Sequence, residues 1–344
     1  MAQRILEPGQ IETLAKASIP RVRPPDRKSV FARRAARLGK LAAGSALGDY
    51  LQFLAALADA QHAALAHLSI PMPSAAQLAR AGEHGMPPIH ASTWPRAPQW
   101  RETLEFLCAA LAARTDFPAG VHDSIAAIRR ASPAWLEAQA AAVLEARNDA
   151  VDIPVAPIIM AALQVHWVAL AARFAADEIK ALDVPGVCPL CGSMPVASLV
   201  YAQAQYQGYR YLHCSLCATE WHMVRVLCSQ CGASGKSIAY HSLKTNTIPA
   251  NANEADTNEA NSIEANSIEA DASGKTSNEE GGAAVRAETC DQCRAYRKIL
   301  YQEKDTGVEP VADDVASVAL DLLLGDEGYH RASGNPLLWL PNTI

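Results

Sequence analysis

The sequence predicts a multidomain α+β fold: an N-terminal all-α helical bundle followed by two small β domains, each carrying a four-cysteine metal site. Three observations predict it. Apolar residues recur at helical spacing through most of residues 29–182, the pattern changes to alternating and aromatic residues after Gly186, and eight of the nine cysteines form four Cys-x-x-Cys pairs.

In chain order, residues 1–28 hold Pro8, Pro20, Pro24 and Pro25 with little periodicity and read as a flexible arm. Residues 29–184 form the expected helical domain. Phe31, Leu38 and Leu41 mark one helix, and Leu51, Leu54, Leu57 and Leu65 mark a longer one, with a break near Gly44 and Gly48. Pro71 and Pro73 end it, and the stretch to Pro98 reads as loop with a short helix at 74–81. Periodicity returns at Trp100–Leu111, Val121–Ile128 and Trp135–Leu144, where Ser132 and Pro133 fit an N-cap with proline at the first helical position. The longest helix is expected over 156–182, with Ile159, Leu163, Trp167, Leu170 and Phe174 on one stripe, stopped by Pro185 and Gly186.

Residues 185–226 are the first expected four-cysteine domain and 227–344 the second. Strands are predicted from Val196, Tyr209, Thr219 and Ser237, and order returns at Val285. At about 245–284 the acidic, polar repeat containing NSIEA twice reads as a disordered insertion. Arg294–Tyr301 reads as a short helical or extended segment. A C-terminal helix follows, capped by Asp313 or Asp314 and carrying Val315, Val318, Leu322 and Leu323.

Acidic residues outnumber basic ones 36 to 30, giving a net charge of -6, which argues against a nucleic-acid partner. No secretory signal and no membrane-spanning run is apparent, so a cytoplasmic protein is expected. In that reducing compartment cysteines at two-residue spacing are metal ligands before they are disulfides. No Ser/His/Asp set or nucleotide-binding glycine motif points to an enzyme.

The candidate ligands are Cys188, Cys191, Cys214, Cys217, Cys228, Cys231, Cys290 and Cys293. Gly192 and Gly232 follow the first and third pairs, Ala218 and Arg294 the second and fourth. If each site uses one glycine knuckle and one plain one, consecutive pairs share a site, and the first site then has an interval typical of zinc ribbons. The competing arrangement joins Cys214/Cys217 to Cys228/Cys231. Four thiolates suit zinc or mononuclear iron, with an iron–sulfur cluster as a third option. Backbone donors or Arg210, Arg225, Lys236 and Arg294 are expected to balance the excess negative charge. Both sites could serve only to staple the fold; a thioredoxin-like dithiol is disfavoured, because that chemistry needs a single pair at a helix N-terminus. Cys108, Trp100, Trp135 and Trp167 read as core, and His213 and His222 as packed or solvated side chains beside the second knuckle.

Together with the helical N-terminal half, CysProLeuCysGlySerMetPro at 188–195, LeuHisCysSerLeuCysAlaThrGluTrp at 212–221, LeuCysSerGlnCysGly at 227–232 and GluThrCysAspGlnCysArgAlaTyr at 288–296 resemble the formate dehydrogenase accessory proteins, the FdhE family. AspAspValAlaSerValAlaLeuAspLeuLeu from 313, GlyTyrHisArg and GlyAsnPro strengthen the resemblance. It implies two rubredoxin-like sites binding iron at the eight cysteines, and a non-enzymatic cytoplasmic chaperone that binds the catalytic subunit of a molybdenum or tungsten formate dehydrogenase. Self-association with a second copy is a further expected contact. The insertion at about 245–284 departs from the family pattern. A rubredoxin-like electron carrier and a zinc-ribbon nucleic-acid binder are the alternative functions.

Overall fold

The computed structural model describes residues 19–243, 268–271 and 283–339. Seven helices come first: α1 (Val30–Ala42), α2 (Gly48–His67), α3 (Ala75–Glu83), α4 (Gln99–Ala112), α5 (Ala119–Arg130), α6 (Pro133–Leu144) and α7 (Ala156–Ala171). Local chemistry sets several of their ends. Gly44 turns the chain between α1 and α2 with φ +72°. Ser74 and Gln77 form a reciprocal capping box at α3, and Ser132 accepts from the Trp135 N–H ahead of Pro133 at α6.

α7 lies at the centre, and all sixteen of its residues are buried. The stripe of Ile159, Leu163, Trp167 and Leu170 expected from the sequence is therefore one face of a helix buried on every side, as a nearly all-apolar helix inside a core is. The helix also ends earlier than expected, at Ala171 rather than near Leu182. Beyond it Arg173 donates to the Ile70 carbonyl, and Glu178 caps the Ala175 N–H at 2.7 Å, starting a separate short turn at Ala176–Glu178.

The strands are β1 (Val22–Arg23), β2 (Pro195–Val200), β3 (Arg210–Cys214), β4 (Glu220–Met223), β5 (Ile238–Leu243), β6 (Ile268–Asp271), β7 (Val285–Cys290), β8 (Ala295–Tyr301) and β9 (His330–Arg331). They form one sheet in the order β1-β4-β3-β2-β8-β7-β5-β6, with β9 beside β8. The two cysteine-bearing regions therefore share a sheet, joined where β2 runs parallel to β8 in the register Ser198↔Ile299 and Val200↔Tyr301. The boundary expected at residue 226 falls between β4 and β5, which do not neighbour each other.

The arm expected at 1–28 lies outside the described residues up to residue 18. Its described end is not free. Val22 pairs with Trp221 and Arg23 with Glu220, while the Arg23 guanidinium lies 4.2 Å and 4.6 Å from the ring centres of Tyr201 and Tyr206. The insertion expected at 245–284 lies outside the described residues except for β6 and residues 283–284. The segment from Arg294, left between helix and strand on sequence, is the fully buried strand β8.

The C-terminal helix is two helices, α8 (Pro310–Ala316) and α9 (Val318–Asp326). Glu309, not Asp313 or Asp314, is the N-cap: its carboxylate accepts from the Val311 and Ala312 N–H groups. Both aspartates are buried within α8 and take cations from distant elements. Arg37 donates to Asp313 at 2.9 Å and 2.5 Å, and Arg331 to Asp314 at 2.7 Å. Lys298 sits at the break, its ammonium donating to the Asp314 and Ser317 carbonyls and to Asp321 Oδ2 at 2.6 Å.

Candidate metal centres

Each Cys-x-x-Cys pair lies on a tight knuckle: the second and fourth start at the ends of β3 and β7, the first precedes β2, and the third is closed by an isolated bridge between Leu227 and Ser234. The residue after its second cysteine has positive φ in all four cases: Gly192 75°, Ala218 56°, Gly232 76° and Arg294 57°. The glycine and plain knuckles thus share one backbone conformation, and the plain ones hold an L side chain where glycine is easier. The turn lets Gly192, Gly232 and Arg294 donate their N–H to the carbonyl of the first cysteine four residues back, at 2.8–3.0 Å. It also aims backbone donors at sulfur: Leu216 and Cys217 N–H at Cys214 Sγ, and Gln230 N–H at Cys228 Sγ, all at 3.4 Å.

The strands bring the knuckles together consecutively. Cys188, Cys191, Cys214 and Cys217 form one group and Cys228, Cys231, Cys290 and Cys293 another, the sulfurs of each lying within 4.8 Å of one another. Closest sulfur pairs are 3.6 Å and 3.4 Å apart in the first group and 3.8 Å and 3.7 Å in the second. A disulfide needs about 2.05 Å. A tetrahedral thiolate site with metal–sulfur bonds of about 2.3 Å has sulfur–sulfur edges of about 3.8 Å. The donor set and spacing therefore fit one four-coordinate metal ion per group.

Electrostatics point the same way at the first group. Burial pushes the Cys188 and Cys214 thiols well above the ordinary thiol range. Burial opposes ionisation of Cys191 too, but hydrogen bonds from Cys188, Cys214, Cys217 and Ser193 outweigh it and hold this thiol well below its ordinary value. Four thiolates packed this closely in a buried site require a cation among them. In the second group burial leads the causes that push Cys293 up to about 12.

The two groups differ in setting. The first belongs to the main core shared with the helices, and its cysteines are at most 1% exposed. Ile89 and Ala91 donate their N–H groups to the Leu190 and Cys191 carbonyls, Trp167 Nε1 donates to Ile89 O, and Gln164 Nε2 donates to Ser215 O at 2.7 Å. Gln164 Oε1 accepts in turn from Gln61 and from the buried Arg34, which pairs with Glu309 at 3.1 Å. A polar chain thereby runs from the second knuckle to the cap of α8. The second group sits on a smaller apolar cluster of Val200, Ile238, Tyr240, Ile299 and Tyr301, with Cys231 exposed and Cys293 half-buried.

Two contacts bind the groups to each other, and the sequence signalled neither. Gly186 lies so close to the third knuckle that an added Cβ would stand 2.3 Å from the Ser229 carbonyl oxygen; it permits a close approach as well as following the helical half. Arg297, buried in β8, donates from Nε to Ser229 Oγ at 2.9 Å and from its terminal nitrogen to the Pro195 carbonyl and Ser333 Oγ. One guanidinium thus touches a knuckle of the second group and the chain leaving the first.

Three of the four expected charge-balancing side chains are engaged elsewhere: Arg210 with Ser198, Leu227 and Glu288, Arg225 with Gly208, and Arg294 with Asp291, Glu327 and the Tyr329 ring. His213 faces Glu220 at 3.1 Å, and His222 packs on Tyr209 and Tyr211, so neither joins a sulfur group. Cys108 is core, its thiol pushed to about 12 by burial.

Fold and sites define the class: a helical bundle fused to a sheet that carries two four-sulfur knuckle sites, one embedded and one at the surface. Family models described as FdhE, N-terminal, FdhE, central domain, and FdhE, C-terminal domain match residues 19–183, 187–225 and 256–338. A Protein FdhE homolog from Cronobacter sakazakii is 37% identical over 98% of both chains, and Protein FdhE from Escherichia coli is 38% identical over 97% of this chain and 96% of its own. The crystal structure of the FdhE protein from Pseudomonas aeruginosa superposes with a TM-score of 0.72 at 34% identity, covering 93% of this chain and 99% of that one. The chain belongs to the FdhE family.

Proposed function

We propose that the protein is a cytoplasmic maturation factor that binds the catalytic subunit of a molybdenum- or tungsten-dependent formate dehydrogenase and is required for that enzyme's activity. The near full-length relationship to FdhE proteins carries this reading. The eight cysteines would hold two ions of iron or zinc in rubredoxin-like sites, where a metal supplies charge neutralisation and a rigid cross-link between knuckles. A closed sphere of four sulfurs has no position for substrate, which favours binding over catalysis. Among the described residues no helix is long and apolar enough to cross a membrane. Deleting the gene is expected to abolish formate dehydrogenase activity while transcripts of its subunits persist, and unchanged activity would refute the proposal.

The exposure of Cys231 favours a second reading, a one-electron carrier using iron in the second site. It predicts a reversible visible absorption change on reduction. A colourless preparation with two zinc ions per chain would exclude it.

A further inference from the structure

The two sulfur groups have nearly the same geometry and opposite access to solvent. Around the first, every sulfur is covered, and the knuckles are held by hydrogen bonds from Ile89, Ala91 and Gln164 on the helical side. A cavity of about 490 Å³ reaches the first group's knuckles at Gly192, Ser193, Met194 and Ser215, but none of the four cysteines lines it. At the second, Cys231 stands in solvent between Gln230 and Gly232, and nothing lies within 4 Å of the open side of Gly232.

Metal leaves a four-thiolate site by stepwise ligand exchange. An incoming donor atom bonds to the metal as one metal–sulfur bond breaks, the freed thiolate takes a proton from water, and no electron moves. Such a step needs a sulfur that can turn away and space for the donor. Cys231 offers both, whereas the first group must first open backbone hydrogen bonds and part of the core.

We propose that the second site is an exchangeable site for soft divalent ions, with Cys231 as the departing ligand, while the first holds its metal for the lifetime of the fold. The proposal rests on the reading that both groups bind metal. It divides the pair into a permanent strut and a port through which metal supply can alter the part of the sheet where β7 pairs with β5.

The test uses full-length protein loaded with two zinc ions, mixed with excess EDTA in one series and with the chromogenic chelator 4-(2-pyridylazo)resorcinol in another. Release in two phases of one equivalent each, differing by at least about 100-fold in rate, is expected. Cys231→Ser should accelerate or remove the fast equivalent and leave the slow one unchanged. Alkylation of unmutated protein by iodoacetamide during release should label Cys231 and Cys293 before any cysteine of the first group. Two equivalents leaving at one rate, a slow phase altered by Cys231→Ser, or early labelling of Cys188 or Cys191 would overturn the proposal. Fewer than two zinc ions per loaded chain would instead overturn the two-metal reading beneath it.

Discussion

Replacing Ala218 by glycine is expected to leave stability nearly unchanged, although it removes a buried methyl group. Ala218 has φ 56°, and an L side chain there costs about 1–2 kcal/mol. Glycine removes that strain but gives back about 0.4–1 kcal/mol through the freedom of the unfolded chain and about 0.8 kcal/mol for the buried methyl, so the net change lies within about 0.8 kcal/mol of zero. The other three knuckles calibrate this value. Gly232→Ala meets nothing within 4 Å and carries only the conformational cost, about 1 kcal/mol. Gly192→Ala puts a Cβ 2.8 Å from His90 Cδ2 and 3.3 Å from Pro87 Cγ, raising the loss to about 2–3 kcal/mol. Arg294→Gly relieves strain but gives up the 2.6 Å bond to the Glu327 carbonyl and the stacking 3.9 Å from the Tyr329 ring centre, leaving a change near zero. Guanidinium unfolding of metal-loaded protein, followed by tryptophan fluorescence, measures all four. If Ala218→Gly destabilises by more than about 1 kcal/mol, or if Gly232→Ala costs as much as Gly192→Ala, the shared-conformation argument fails.

Gln164→Leu should cost about 2–4 kcal/mol, because it leaves Arg34 Nη1, the Gln61 amide and the Ser215 carbonyl without their Gln164 partner, and it should speed metal release from the first site alone. Lys298→Met should cost about 3–5 kcal/mol by leaving the carboxylates of Asp314 and Asp321 without their shared cation; a loss under about 1 kcal/mol would show that Arg331 suffices. His166 is fully buried with neither ring nitrogen hydrogen-bonded, and burial lowers its pKa to about 4. Below its ordinary pKa of about 6.5 the unfolded chain binds a proton that the fold refuses, so stability falls as pH drops from 6.5 toward 4, by up to about 3 kcal/mol. Comparing unfolding of the parent and His166→Leu at pH 5 and pH 7.5 checks this; an equal pH dependence in both would reject it.

The grouping of the sulfurs was legible because ligand spacing is a local property: two residues within a pair and a short hairpin between the first two pairs. Helix starts at Ser74 and Ser132 were legible for the same reason. What escaped was the part decided by partners far along the chain. Arg297 and Lys298 are adjacent cations in β8, and on sequence such a pair reads as solvated surface; both are buried because Ser229, Pro195, Asp314 and Asp321 converge on them. Asp313 and Asp314 resembled caps, yet Arg37 and Arg331 draw them into the interior. The sharing of one sheet also left no signal, since any buried apolar strand could have been the neighbour of β2.

The parallel pairing of β2 with β8 imposes an order in time. During synthesis the first sulfur group is complete once Cys217 has emerged, and β2 can then pair with β3. The other edge of β2, whose residues are all buried in the finished fold, must wait for β8, which is made only after β5, β6 and β7. Until then it is an open apolar edge able to pair with another chain. Fragments that stop after the first metal group are therefore expected to aggregate even though that group is whole, and chains that reach Tyr301 close the edge themselves.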